Sequence, residues 1–104
     1  MKILLVQPAK PEAIEIDPKL ADAYCNRGGV YMEKGRYDRA IADQTKAIEI
    51  DPKFALAYYN RGISYYFEKK YDKCWQDFKK AQNLGYQIPP KVLERLRKAS
   101  GRQN

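Results

Sequence analysis

Two cysteines, no histidine and two arginine-aspartate pairs are what this sequence offers to chemistry. Histidine is the usual general base near neutral pH and the commonest metal ligand, so its absence removes both roles together. Cys25 and Cys74 stand 49 residues apart, which fits neither a metal-ligand spacing nor a disulfide framework. No local charge marks Cys25 as an activated thiolate, and Cys74 falls at a small-residue packing position. Gly28-Gly29 lies within a helical pattern rather than after a strand, so it is no phosphate-cradling loop. These absences give the expectation of no enzymatic activity, no cofactor and no metal site. Arg27 and Arg61 are each followed sixteen residues later by an aspartate, Asp43 and Asp77. Guanidinium and carboxylate pair bidentately, so each couple is expected to lock one helix against the next; the alternative is an exposed pair of little energetic weight.

The elements that must position these residues are set by a repeat. Ala13-Ile-Glu-Ile-Asp-Pro-Lys19 recurs letter for letter as Ala47-Ile-Glu-Ile-Asp-Pro-Lys53, an offset of 34 residues. The same offset superposes Ala21, Ala23, Tyr24, Asn26, Arg27, Gly28, Tyr31, Tyr37, Asp38, Asp43, Lys46 and Ala47 on identical residues downstream. A fixed period of this length is the signature of a stacked helical array. The residue before a proline is driven out of helical geometry, so Asp17-Pro18 and Asp51-Pro52 each end one helix and turn the chain toward another. Helices are expected over 21–34, 37–50, 55–68, 71–84 and 90–100. Gly85 permits a left-handed helix stop, and Pro89-Pro90 suits the entry to the last helix. There Val92, Leu93, Leu96 and Ala99 form an apolar face opposite Lys91, Arg95, Lys98 and Arg102, the two-sided character of a terminal cap.

Tyr24, Gly28, Tyr31, Tyr37, Ala40, Ala47 and Pro52, echoed by Tyr58, Gly62, Tyr65, Tyr71 and Ala81, resemble the tetratricopeptide repeat, and the resemblance spans residues 12–100. The second unit departs from the first at Lys69 for Gly35, Cys74 for Ala40, and Leu84-Gly85-Tyr86 for Ile50-Asp51-Pro52. The resemblance implies an all-α fold, a right-handed α-solenoid of antiparallel helix pairs, with the first helix of each repeat lining an inner groove. Residues 1–104 then form one domain: an extended segment 1–11, a partial repeat 12–17, repeats 21–54 and 55–88, a capping helix 89–100 and a tail 101–104.

Two stripes run along the first helices. Tyr24, Gly28, Tyr31 and their copies Tyr58, Gly62, Tyr65 lie at helical spacing and should face the partner helix. A glycine inside a helix costs about 1 kcal/mol relative to alanine, so its recurrence argues for close backbone approach, with Ala40, Cys74, Ala47 and Ala81 as the expected small acceptors. The adjoining stripe does not repeat: Asp22, Cys25, Gly29 and Met32 face Leu56, Tyr59, Ile63 and Tyr66 in the comparison. Packing should recur from unit to unit whereas ligand contacts need not, so this stripe is the expected site for a protein or peptide ligand, with the tyrosines as anchors. Variability of an unused face, or a helix of a neighbouring chain, would give the same pattern. Asn26 and Asn60 match positions where the family commonly has Asn, and the resemblance implies hydrogen bonding to a ligand's backbone.

The net charge of +7 is uneven, since residues 69–104 carry ten Lys/Arg against three Asp/Glu. A nucleic acid or acidic partner meeting that third is the alternative function; the chain offers no sheet of stacking aromatics, so nucleic acid is not the favoured partner. Ile3 to Val6 are expected to cover the exposed side of the first full repeat; the alternative is that they and the incomplete repeat behind them leave an apolar surface through which a homodimer forms. No apolar run is long enough to span a bilayer, and the opening six residues are too short for a signal-peptide core, so a cytoplasmic protein without membrane insertion is expected.

Overall fold

The computed structural model describes residues 16–102. The Ile3–Val6 stretch, whether as a cover or a dimer surface, the extended segment 1–11 and most of the partial repeat therefore lie outside the described residues. Every regular element among them is a helix: α1 (Pro18–Glu33), α2 (Tyr37–Ile50), α3 (Ala55–Phe67), α4 (Tyr71–Asn83) and α5 (Pro90–Ser100). α1 packs on α2 and α3 on α4, α2 joins the two pairs by packing on α3, and α5 closes against α4. This is an all-α helical-repeat solenoid.

α1 begins three residues earlier than its sequence pattern suggests. Asp17 caps it, its side chain accepting the backbone N–H of Leu20 at 3.1 Å, and Pro18 occupies the first turn, where no N–H is needed. The copied Asp51-Pro52 behaves differently: Asp51 closes a turn, its carbonyl accepting from Phe54 N–H, and α3 starts at Ala55. Helix ends follow the expected glycine logic at Gly35 and Gly85, both at positive φ. Lys69, standing where the first unit has Gly35, adopts φ of 63° without glycine's freedom.

The repeated glycines mark close approach: a Cβ on Gly28 would lie 3.2 Å from the carbonyl oxygen of Ala40, one of the small residues expected, but the tightest contacts are with large side chains. A Cβ on Gly28 would lie 2.5 Å from Gln44 Nε2, and one on Gly62 2.6 Å from the Phe78 ring. Gln44 and Phe78 occupy the same place in successive units, so each glycine opens a slot that a large side chain of the partner helix fills. Gln44 uses the slot to donate to the carbonyl of Cys25 at 3.1 Å, and Phe78 uses it to reach the larger core of Cys74, Trp75, Ile88 and Leu96. Burying side chains the size of Phe78 and Leu96 contributes about 1.5–3 kcal/mol each, which fixes α5 in place. Trp75 Nε1 donates to Ser100 Oγ at 3.2 Å, and Arg102 pairs with Asp72 and covers the Trp75 ring. Ala99, expected on the apolar face of α5, is exposed instead, because Leu96 and Val92 already fill the contact.

Candidate functional site

Both arginine-aspartate couples form. Arg27 Nε and Nη2 each donate to Asp43 at 2.8 Å, and Arg61 Nε and Nη2 donate to Asp77 at 2.7 and 2.8 Å. The hydrogen bonds to the carboxylates hold both guanidinium groups even more firmly protonated than usual. Each couple ties the first helix of a pair to the second and leaves the adjoining stripe of that first helix free to face elsewhere.

The residues of the non-repeating stripe are distributed unevenly. Asp22 and Asn26 on α1 are exposed, Gly29 faces open space, and Met32 is half-buried. Cys25 corrects the expectation of a groove residue: it is buried between α1, α2 and α3 with Ala47 and Ala57, because the two first helices meet there. Asn60 from α3 reaches across to its sulfur, Nδ2 to Sγ 3.8 Å, so one of the two repeated asparagines is engaged inside the protein while Asn26 points outward. Burial raises the thiol pKa of Cys25 and pushes that of Cys74 up to about 12, the opposite of what a nucleophilic thiolate requires.

On α3, Leu56 is partly exposed, whereas Tyr59 is not the free anchor its position suggests. It stacks on Phe78 with ring centroids 5.5 Å apart and on Tyr86 at 4.6 Å, and burial raises its hydroxyl pKa. Tyr86 comes from the Leu84-Gly85-Tyr86 departure, which carries the chain back over α3. Ile63 and Tyr66 do come together, with Phe67, Phe78, Val92 and Arg95, around an apolar pocket of about 80 Å³ between α3 and α5. Ligand pockets for cofactors and small molecules are ~300–1,000 Å³, and a ~150 Å³ cavity holds a benzene ring, so this one takes a single aliphatic side chain. Its wall is built by aromatic contact: Tyr66 meets Phe67 edge to face at 5.3 Å, and Phe67 stacks on Tyr37 at 5.1 Å. Phe67 remains 54% exposed despite this, so the pocket has an apolar rim open to solvent.

Phe67, Phe78 and Val92 were not among the expected site residues, and Arg95 stood only among the basic residues of the alternative reading. Phe67 stands against Glu33 and Phe78 against Gln44 at the repeat offset, so both carried the mismatch that singled out their neighbours. Val92 and Arg95 carried no such signal, because α5 has no counterpart in the first unit. Arg95 forms no ion pair among the described residues and stands at the pocket's rim, whereas Lys70, Lys98 and Arg102 are paired with Glu68, Glu94 and Asp72. Lys73 and Lys80 lie over the rings of Tyr65 and Tyr58. The basic third is thus partly consumed by internal contacts. No group of three metal-ligating side chains occurs among the described residues, and no helix there is long and apolar enough to cross a membrane.

Helix pairs stacked with a 34-residue period, first helices in contact with one another and a closing amphipathic helix define a helical-repeat protein. A family model described as Tetratricopeptide repeat matches residues 12–42, and one described as TPR repeat matches residues 28–67. Together they run over residues 12–67, and the chain belongs to the tetratricopeptide-repeat family. Both are repeat models, and neither indicates a catalytic family. Among solved structures, the first TPR of Spaghetti (RPAP3) bound to the HSP90 peptide SRMEEVD is similar at 20% identity. That match covers 85% of this chain and 96% of the other, with a TM-score of 0.39. No curated protein matches the sequence.

Proposed function

We infer that this protein is a non-enzymatic interaction scaffold that holds a peptide or helix of a partner protein, gripping it by one apolar side chain between α3 and α5. The observation that carries this reading is the open apolar pocket of Ile63, Tyr66, Phe67, Phe78 and Val92, with the unpaired Arg95 at its rim. An apolar slot with one cation beside it favours an aliphatic residue adjoining an acidic one. Exposed Asn26 and the open surface at Gly29 lie along the corresponding stripe of α1, where an extended partner could continue with its backbone amides within reach of a side-chain amide.

Selection of random displayed peptides on the intact chain tests this reading. The expected binders share a bulky aliphatic residue next to Asp or Glu, and Tyr66→Ala weakens them by about 2 kcal/mol, as truncation of an interface anchor does. Binders indifferent to Tyr66→Ala but lost on Lys91→Glu and Lys98→Glu, with affinity collapsing as salt rises, would instead place function on the basic third and favour a polyanionic partner.

A further inference from the structure

Among the described residues, one face of α1 is uncovered where the same face of α3 is covered. On α3, Ala57 clusters with Ala47 and Ile48 of α2, Tyr58 donates to the Pro52 carbonyl at 3.0 Å, and Arg61 Nη1 donates to Thr45 Oγ1 at 3.2 Å. Tyr65 and Ile41 border one hollow further along. The residues at the same places on α1 are Ala23, Tyr24, Arg27 and Tyr31, identical in type, with Val30 in place of Ser64. Ser64 is fully buried and Val30 is 49% exposed. The Arg61 side chain is 19% exposed and that of Arg27 60%. Among the described residues, Arg27 Nη1 has no partner such as Thr45 gives Arg61, and a hollow of about 200 Å³ lies open between Leu20, Ala23, Tyr24 and Arg27.

We propose that this face of α1 is a docking surface for an amphipathic helix of another protein, seated on α1 as α2 is seated on α3. The internal interface specifies the occupant. It carries aliphatic residues at the places of Ile41 and Ile48, and between them, at the place of Thr45, a hydroxyl or carboxylate to meet Arg27 Nη1. An acidic edge is favoured, because the guanidinium groups of Arg27 and Arg39 flank the Tyr31 ring at 6.0 and 5.8 Å. In the sequence upstream, Pro8 and Pro11 stand at the places of Ala42 and Thr45, and a proline inside a helix costs about 3 kcal/mol, so another protein's helix matches the pattern better. A second copy fits no better, since its α2 is already packed on α3 and its closing helix would bring Lys91, Arg95 and Lys98 against Arg27 and Arg39.

The probe is a synthetic peptide of this chain's residues 37–54, titrated into the isotope-labelled full chain and followed by amide chemical shifts. Saturable shifts centred on Ala23, Arg27, Val30 and Tyr31 are expected, weakened about tenfold or more by the surface change Val30→Glu. Shifts centred on Tyr66 and Val92, or unchanged by Val30→Glu, overturn the proposal. So does binding that appears only after residues 1–15 are removed, which would make the chain's own segment the occupant. Because a short free peptide is a marginal helix, a second measurement tethers it: residues 2–15 are replaced by a second copy of residues 36–49, keeping the Ile16-Asp17-Pro18 junction in register. The melting temperature rises, and Val30→Glu cancels the rise. A silent titration with that rise still supports the docking surface, and no rise overturns it.

Discussion

Arg27 with Asp43 and Arg61 with Asp77 are the same two side chains at the same spacing, joined by near-identical bonds, yet they sit in different surroundings. α2 lies over Arg61 and supplies Thr45 as a third partner, while nothing among the described residues lies over the outer edge of Arg27. An identical local sequence thus yields a sealed joint in one unit and an open one in the other, because a repeat's environment is set by its neighbour. The sharpest way to break this comparison is to remove each arginine in turn. Arg61→Met leaves Asp77 buried and uncompensated and is expected to cost about 3 kcal/mol. Arg27→Met should cost clearly less: the two aspartates are equally buried, but the Arg27 side chain is 60% exposed against 19% for Arg61, so water can take the place of its guanidinium at Asp43. Equal shifts in urea midpoint for the two variants would show that the covering helix does not matter. Within the second unit, Arg61→Met in an Asp77→Leu background should cost far less than alone.

The glycine slots extend the comparison to the core. Gly62→Leu must displace the packed Phe78 ring and is expected to cost about 1–3 kcal/mol. A midpoint equal to that of the parent protein would remove the slot from the account.

The second unit also carries Cys74 where the first has Ala40. Burial raises the Cys74 pKa from 9.0 to about 12. Between those values the unfolded chain has lost the thiol proton and the folded one keeps it. The unfolded state then binds fewer protons, so stability is full below pH 9 and falls as pH rises toward 12. Cys74→Ala should flatten that part of the alkaline decline in a denaturant series, and an unchanged slope would argue that the thiol is not sealed.

The smallest expected effect is a gain. Lys69 holds a left-handed conformation that costs a non-glycine residue about 1–2 kcal/mol, and its counterpart Gly35 holds the same conformation freely. Lys69→Gly is expected to stabilise by about 1 kcal/mol once the extra chain entropy of glycine is set against the relieved strain. Thermal melting of that single variant checks it.

How much of this was legible in the sequence follows the same division. Whatever recurs at the offset of 34 was readable: the helix pairs, the arginine-aspartate joints, and the positions where glycine permits close approach. The direction of the approach was not, because the pattern shows that Gly62 is small without showing that Phe78 is what fills the space. Contacts between units were less visible still. Cys25 looked like a groove residue from its stripe, and only the meeting of α1 with α3 buries it. Tyr59 looked like a free anchor until Tyr86 was placed over it by a turn whose direction the sequence does not encode locally. The pocket lies where the second unit and the closing helix meet, and α5 has no repeated partner against which its variation could be judged.

The central claim, that a partner's apolar side chain sits between α3 and α5, is tested most directly by giving the second unit the first unit's residues at the pocket. In Tyr66→Met with Phe67→Glu, both replacements are the residues found at Met32 and Glu33, and the exposed Phe67 can be lost without opening the core. The affinity of a selected peptide is measured for this double variant and for the parent protein. The account predicts a loss of about 2 kcal/mol or more with little change in melting temperature. Undiminished affinity in a folded double variant would contradict it.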